Sequence, residues 1–291
     1  MTNKRTILIT GSAGFIGFHL TKFFLKKKLN VIGLDNINNY YDTKVKYQRL
    51  NELKKFKNFK FFKIDLKKID NFNIIKKYNI SIIYHLAAQA GVRYSFSNPK
   101  TYIESNINGF FNILEFAKKQ KIKKIVFASS SSVYGNQKKL PVSENSELKP
   151  ENLYGMTKKI NEEMAQYYFD KFNIKSIALR FFTVFGENGR PDMFLIKFLN
   201  AFKNKKLFEL YNYGQHERDF TYVGDVIKMI TRLKFKNGYD VYNISSNRPI
   251  KLKKVISLLN KYQIKPKIKK ISFQKGDVIR THGSNYKIKK L

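Results

Sequence analysis

Short β-branched runs alternate with longer helix-like runs through the first two thirds of the chain. "KRTILIT" (4–10) precedes a helical pattern near 15–28, and "NVIGLD" (30–35) precedes a polar, tyrosine-rich connection and a lysine-rich helix. "FKFFKID" (59–65), "ISIIYHLAA" (80–88), "KKIVFASS" (123–130) and "NIKSIALRFF" (173–182) read as further buried strands. Near-continuous apolar strands separated by helical stretches predict right-handed βαβ units and an α/β fold, a doubly wound parallel sheet covered on both faces. After residue 180 the alternation loosens, with Gly and Pro near 186–191 and a polar segment at 212–219. This predicts a smaller, interleaved C-terminal lobe. The expected division is 1–180 plus about 222–246 for the larger domain, and about 181–221 plus 247–291 for the lobe.

Composition narrows the chemistry. The 291 residues contain no cysteine, which excludes disulfides and thiolate ligands. His19, His85, His216 and His282 lie far apart, without ligand spacing, and no metal site is expected. No apolar run reaches the roughly 18 residues of a membrane span, and the apolar N-terminal stretch ends in glycines without a cleavage signal. A cytoplasmic protein is expected. The formal net charge of +36 points at first to nucleic acid. Lysine, however, is spread along the whole chain beside abundant Asn, Ile, Phe and Tyr, as the generic surface residue of an AT-rich coding sequence. Only nine of the 57 basic residues are Arg, so each Arg is informative. A guanidinium forks onto phosphate or carboxylate as an ammonium cannot.

"ILITGSAGFIGFHL" places Gly11, Gly14 and Gly17 at a strand-to-helix junction. Such a turn lets the backbone approach a pyrophosphate and presents helix N–H groups to it. Asp35 ends the second strand about 20 residues on, where a carboxylate accepts from an adenosine ribose and repels a 2′-phosphate. The set implies NAD, bound on a Rossmann-type domain. Asp65, ending the third strand, can reach the adenine or simply be solvated.

"NLYGMTKKI" (152–160) puts Tyr154 and Lys158 four apart on one helical face. An ammonium beside a phenol lowers its pKa from about 10 toward the operating range, so that a phenolate can take a proton from a sugar hydroxyl. The pair alone is weak in a chain with 18 Tyr and many Lys. "ASSSSVYG" (128–135) adds hydroxyls at the end of the fifth strand, which in a doubly wound sheet faces the ligand crevice.

With the glycine fingerprint, the Ser cluster before V-Y-G and Y-x-x-x-K, the sequence resembles the extended short-chain dehydrogenase/reductase family over nearly its whole length. The resemblance implies that Tyr154 is the catalytic acid–base and that Lys158 lowers its pKa and holds the nicotinamide ribose. It makes Ser130 the partner of the substrate hydroxyl and Asn106 of "ESNINGF" a cofactor-holding residue. "HLAAQAGVRYSFSNP" (85–99), "RFFTVFGENGRPDM" (180–193) and "YNYGQHERDFTYVGD" (211–225) are similar to the UDP-glucuronate 4-epimerases. This implies a UDP-sugar substrate, with Arg218 on its pyrophosphate and Arg93 and Arg190 on the substrate side. Thr183 stands where galactose-type epimerases have Asn, and Ser131 and Ser132 stand where related dehydratases and decarboxylases carry carboxylates. Hydroxyls there suit a uronate carboxylate that must be held and not expelled.

The implied reaction is C4 epimerisation of UDP-glucuronate to UDP-galacturonate through a transient 4-keto sugar. A UDP-glucose 4-epimerase is the alternative, and a basic nucleic-acid-binding protein on a degenerate dehydrogenase fold the remote one. No specific nucleic acid is expected as partner. By resemblance the protein is a homodimer pairing helices near 99–119 and 153–171. The family's chain usually continues beyond "GDVIRTHGSNYKIKKL", so a C-terminally truncated substrate lobe is expected here.

Overall fold

The computed structural model describes residues 5–236, 238–274 and 277–291. Seven strands form one sheet: β1 (Thr6–Thr10), β2 (Asn30–Asp35), β3 (Phe59–Lys63), β4 (Ile80–His85), β5 (Lys124–Ser130), β6 (Lys175–Phe181) and, after a long excursion, β10 (Tyr239–Ile244). Their spatial order is β3-β2-β1-β4-β5-β6-β10, and every neighbouring pair is parallel. The order reverses between β1 and β4, where a doubly wound sheet opens a crevice at its carboxyl ends. The α/β architecture expected from the alternation is therefore the one observed, and the six strands read from the sequence are all present.

Period-two alternation builds two apolar layers, one on each face. Ile9, Val31, Val126, Ile177 and Leu179 pack with the helices Phe15–Lys26 and Val223–Arg232. Their neighbours Leu8, Ile32, Ile125, Phe127 and Ala178 pack on the other side with Gly109–Lys119 and Leu153–Phe172. Each fully buried large aliphatic or Phe side chain contributes about 1.5–3 kcal/mol relative to exposure.

Five further strands lie outside the large sheet: β7 (Thr183–Phe185), β8 (Phe208–Tyr211), β9 (Glu217–Tyr222), β11 (Pro249–Lys251) and β12 (Ile268–Ile271). They form a three-stranded sheet, β11-β9-β7, and a two-stranded one, β12-β8. The last helix is Tyr286–Lys289, and Leu291 packs against the layer of Ile9 and Val31. No helix among the described residues is long and apolar enough to cross a membrane.

Candidate active site

At the carboxyl end of β1 the chain turns through Gly11, whose φ of +71° an L side chain rarely adopts, and a Cβ there would stand 2.8 Å from the Ala87 nitrogen. A Cβ on Gly17 would drive into the Gly11 carbonyl. The helix Phe15–Lys26 starts on Gly14 with no side-chain cap and no acidic residue in its first turn, so its free N–H groups and positive end face the crevice. This uncapped cradle fits a dinucleotide pyrophosphate. Gly17→Ala must displace the turn, an overpacking of about 1–3 kcal/mol. It is expected to weaken NAD binding about 10-fold or more, measured as loss of the NAD-dependent rise in melting temperature.

Asp35 ends β2 in the same crevice. Its carboxylate accepts from the Ile37 nitrogen at 2.8 Å and the Ala13 nitrogen at 3.3 Å, and the Lys46 ammonium stands 4.0 Å away. Burial pushes this carboxyl up from its ordinary range, opposed by Lys46, the two N–H groups and Arg49. Asp65 also lines the crevice.

The end of β5 brings Ser129 and Ser130 to the crevice, and the long helix Leu153–Phe172 brings Tyr154 and Lys158. Asn152 caps that helix by accepting from the Gly155 nitrogen at 2.9 Å, which fixes where its first turn sits. Ser130 Oγ accepts from the Ser132 nitrogen and donates to Ser132 Oγ, both at 3.1 Å. Lys158 is 1% exposed. Burial brings its ammonium down to about 7, against the pull of Glu162 one turn on. Glu162 is itself forked by Arg180 at 3.0 and 2.7 Å and accepts from Ser129. Arg180 also donates to the Tyr134 hydroxyl at 2.8 Å, so β5, β6 and the helix are tied together just beneath the lysine.

Burial raises the Tyr154 phenol, and the Ser130 hydroxyl and the Arg190 guanidinium pull it back. Arg190 is a cation acting on the phenol that lies outside the Y-x-x-x-K pattern. Arg190 forks onto Asp192 at 2.9 and 2.7 Å, and Tyr40 donates to the same carboxylate at 3.1 Å.

Nine of the residues singled out in the sequence line this one crevice: Gly11, Gly14, Gly17, Asp35, Asp65, Ser130, Tyr154, Lys158 and Arg190. The others do not line it. Asn106, 1% exposed, acts a layer behind. It accepts from the Gln89 nitrogen at 2.7 Å and donates to the Gln89 carbonyl at 3.0 Å and to Thr157 Oγ1 at 3.1 Å. Thr157 in turn donates to the Tyr154 carbonyl at 2.8 Å, so Asn106 holds the Gln89 wall to the catalytic helix. Ser131 and Ser132 form the short turn behind Ser130, and Thr183 opens β7. Arg93 and Arg218 gather elsewhere. Arg93 pairs with Asp277 at 2.6 Å and lies 3.6 Å over the Tyr211 ring. Arg218 donates to the carbonyls of Glu217 at 2.9 Å and Ile279 at 3.0 Å, and burial lowers it to about 10. These hydrogen-bond acceptors are neutral, and the Asp277 carboxylate opposes the effect of burial on the guanidinium.

Sequence reasoning missed Tyr40, Tyr41, Lys46 and Gln89, which also line the crevice. Three of them come from the polar connection and lysine-rich helix after β2, where nothing marks one Lys or Tyr from another.

Residues 7–245 match the family model of the NAD dependent epimerase/dehydratase family. The chain belongs to that family. An uncharacterised protein of Methanocaldococcus jannaschii is 48% identical, over 99% of this chain and 90% of its own. A UDP-glucuronate 4-epimerase of Thermodesulfobacterium geofontis is 40% identical, over 98% of this chain and 89% of its own. Among solved structures, UDP-glucuronic acid 4-epimerase from Bacillus cereus, in complex with UDP-glucuronic acid and NAD, superposes with a TM-score of 0.92. It is 31% identical, with 98% of this chain and 92% of that chain covered. Membership in the epimerase/dehydratase family makes this chain an NAD-dependent enzyme, as the glycine cradle requires.

Proposed function

We propose that this enzyme epimerises a UDP-sugar at C4, with UDP-glucuronate as substrate and UDP-galacturonate as product. The observation that carries the reading is the setting of Tyr154: a half-buried tyrosine at the crevice wall, its phenol flanked by the Ser130 hydroxyl and acted on by the Arg190 guanidinium, with Lys158 on the same helical face. Arg190, forked onto Asp192, places a guanidinium beside the reacting centre, where a sugar carboxylate needs donors. NAD, when bound in the cradle of Gly11, Gly14 and Gly17 with its ribose on Asp35, takes up the C4 hydride and gives it back. The protein supplies the proton chemistry. Tyr154 accepts the O4 proton and returns it, Ser130 shares that hydrogen bond, and Lys158 stands by the nicotinamide ribose. Asn106 and Asp65 complete the cofactor side. Arg93 and Arg218 hold the UDP end while the 4-keto sugar turns. Thr183, Ser131 and Ser132 give the carboxylate hydroxyl donors, and no ionised carboxylate stands at the serine positions to repel it.

In this reading residues 1–180 with about 222–246 bind NAD, supported by the place of β10 in the large sheet, and 181–221 with 247–291 bind the UDP-sugar. Phe111, Met156 and Tyr167 are exposed on Gly109–Lys119 and Leu153–Phe172, which supports a homodimer through those helices. The lysines are a general surface with no specific nucleic acid as partner, and the enzyme works in the cytoplasm.

The deciding experiment is incubation with UDP-glucuronate and, separately, UDP-glucose, followed by NMR of the C4 configuration. UDP-galacturonate forms and UDP-glucose is unchanged. Turnover of UDP-glucose alone overturns the substrate, and turnover of neither overturns the reading.

A further inference from the structure

The loop after β7, residues 186–192, carries Arg190, yet its fastenings come from the cofactor half. His19 Nε2 on the helix Phe15–Lys26 lies 2.8 Å from the Glu187 carbonyl. Arg49, on the helix Thr43–Leu53, donates through Nη2 to the carbonyls of Asn188 at 2.8 Å and Gly189 at 3.2 Å. Through Nη1 it donates to the Ala13 carbonyl in the glycine turn at 2.8 Å and to the Tyr41 hydroxyl at 2.9 Å. Arg49 is 1% exposed, its four acceptors are neutral, and its Nε is buried without a partner. A buried guanidinium without a counter-charge in its hydrogen bonds is a poor source of stability. What it supplies is geometry. A planar fork reaches two sides at once, and an ammonium does not. In a chain that uses lysine almost everywhere, an arginine here meets that requirement.

We propose that Arg49 is a positioning residue for the reaction. By joining the carbonyls of residues 188 and 189 to the glycine turn at Ala13, which serves as the anchor, it fixes Arg190 beside Tyr154. His19 is a further fastening of the same strap outside the crevice, beside the Tyr222 hydroxyl on Glu187 and the Tyr40 hydroxyl on Asp192. The inference rests on Tyr154 being the acid–base of a UDP-glucuronate epimerase.

A double-mutant cycle tests it, with kcat and KM measured for UDP-glucuronate. Arg49→Lys keeps the charge and removes the fork. A misplaced reacting group loses one to two decades of rate, and kcat is expected to fall about 10-fold. In an Arg190→Ala background the same change costs less than about 2-fold, because Arg190, through which Arg49 acts, is gone. His19→Ala repeats the pattern at smaller amplitude and reads the coupling even where Arg49→Lys folds poorly, which circular dichroism and melting temperature report. Equal losses in both backgrounds, or no loss from either variant with Arg190 present, overturn the proposal. Failure of the underlying site reading is separate: it shows as near-native turnover in Tyr154→Phe, whatever the cycle gives.

Discussion

Tyr154→Phe lowers turnover of UDP-glucuronate about 10²–10⁴-fold, the usual loss when a positioned acid–base is removed. The change deletes one oxygen. The ring that remains still packs edge-on to Tyr102 at 6.1 Å between centroids, and the helix start is held by other residues, Asn152 and Thr157. Folding and NAD binding are therefore preserved, and the loss falls on kcat. Without the phenol the O4 proton has only Ser130 as partner, a hydroxyl whose own pKa lies far above any working range. The measurement is initial rate at saturating substrate, with circular dichroism and the NAD-induced melting shift as controls. Near-native epimerisation in this variant ends the assignment of Tyr154.

Lys158→Met separates function from stability. Activity falls about 10²-fold or more through loss of the ammonium from the proton-transfer face. Stability moves the other way. The folded Lys158 holds its proton only up to about pH 7, well below the ordinary lysine range near 10.4, so folding expels a proton between those limits. The penalty for burying the charge is full below the folded value and is relieved as pH rises above it. Native enzyme without NAD therefore gains stability from pH 7 to 9 on account of this residue, and Lys158→Met does not. At pH 7 the variant melts about 2–6 °C higher than native protein. Melting curves at pH 6.5, 7.5 and 9 test this, and equal pH slopes in the two proteins contradict it.

The large sheet was legible because its strands are buried on both faces and read as unbroken β-branched runs. The seventh strand, β10, was not among the six, since Asp240 and Asn243 interrupt its apolar pattern and its burial is set by Glu144 and Lys287 from distant segments. The five short strands beyond the sheet have too few residues to show a period. The stretch Ile103–Asn108, a π-helical turn, carries Asn106, whose side chain bonds Gln89 seventeen residues away, a contact that leaves no local mark in the sequence. Within the site, glycine spacing and the Tyr154/Lys158 pair stood out because chemistry restricts residue type there. Arg49 and Arg180 did not, although the scarcity of arginine was the signal that could have found them. Their partners are backbone carbonyls, the hydroxyls of Tyr41 and Tyr134 and a buried Glu162, contacts that only a folded chain creates.

The late return of β10 to the edge of β6 shapes how the enzyme is made. A nascent chain that has exposed β6 must thread β7, β8, β9 and the helix Val223–Arg232 before residue 239 leaves the ribosome and covers that edge. Until then the apolar strand Lys175–Phe181 offers unpaired N–H and carbonyl groups to any neighbouring chain. Synthesis stalled between these two points yields a half-finished sheet with a sticky margin, the kind of intermediate that holding chaperones capture.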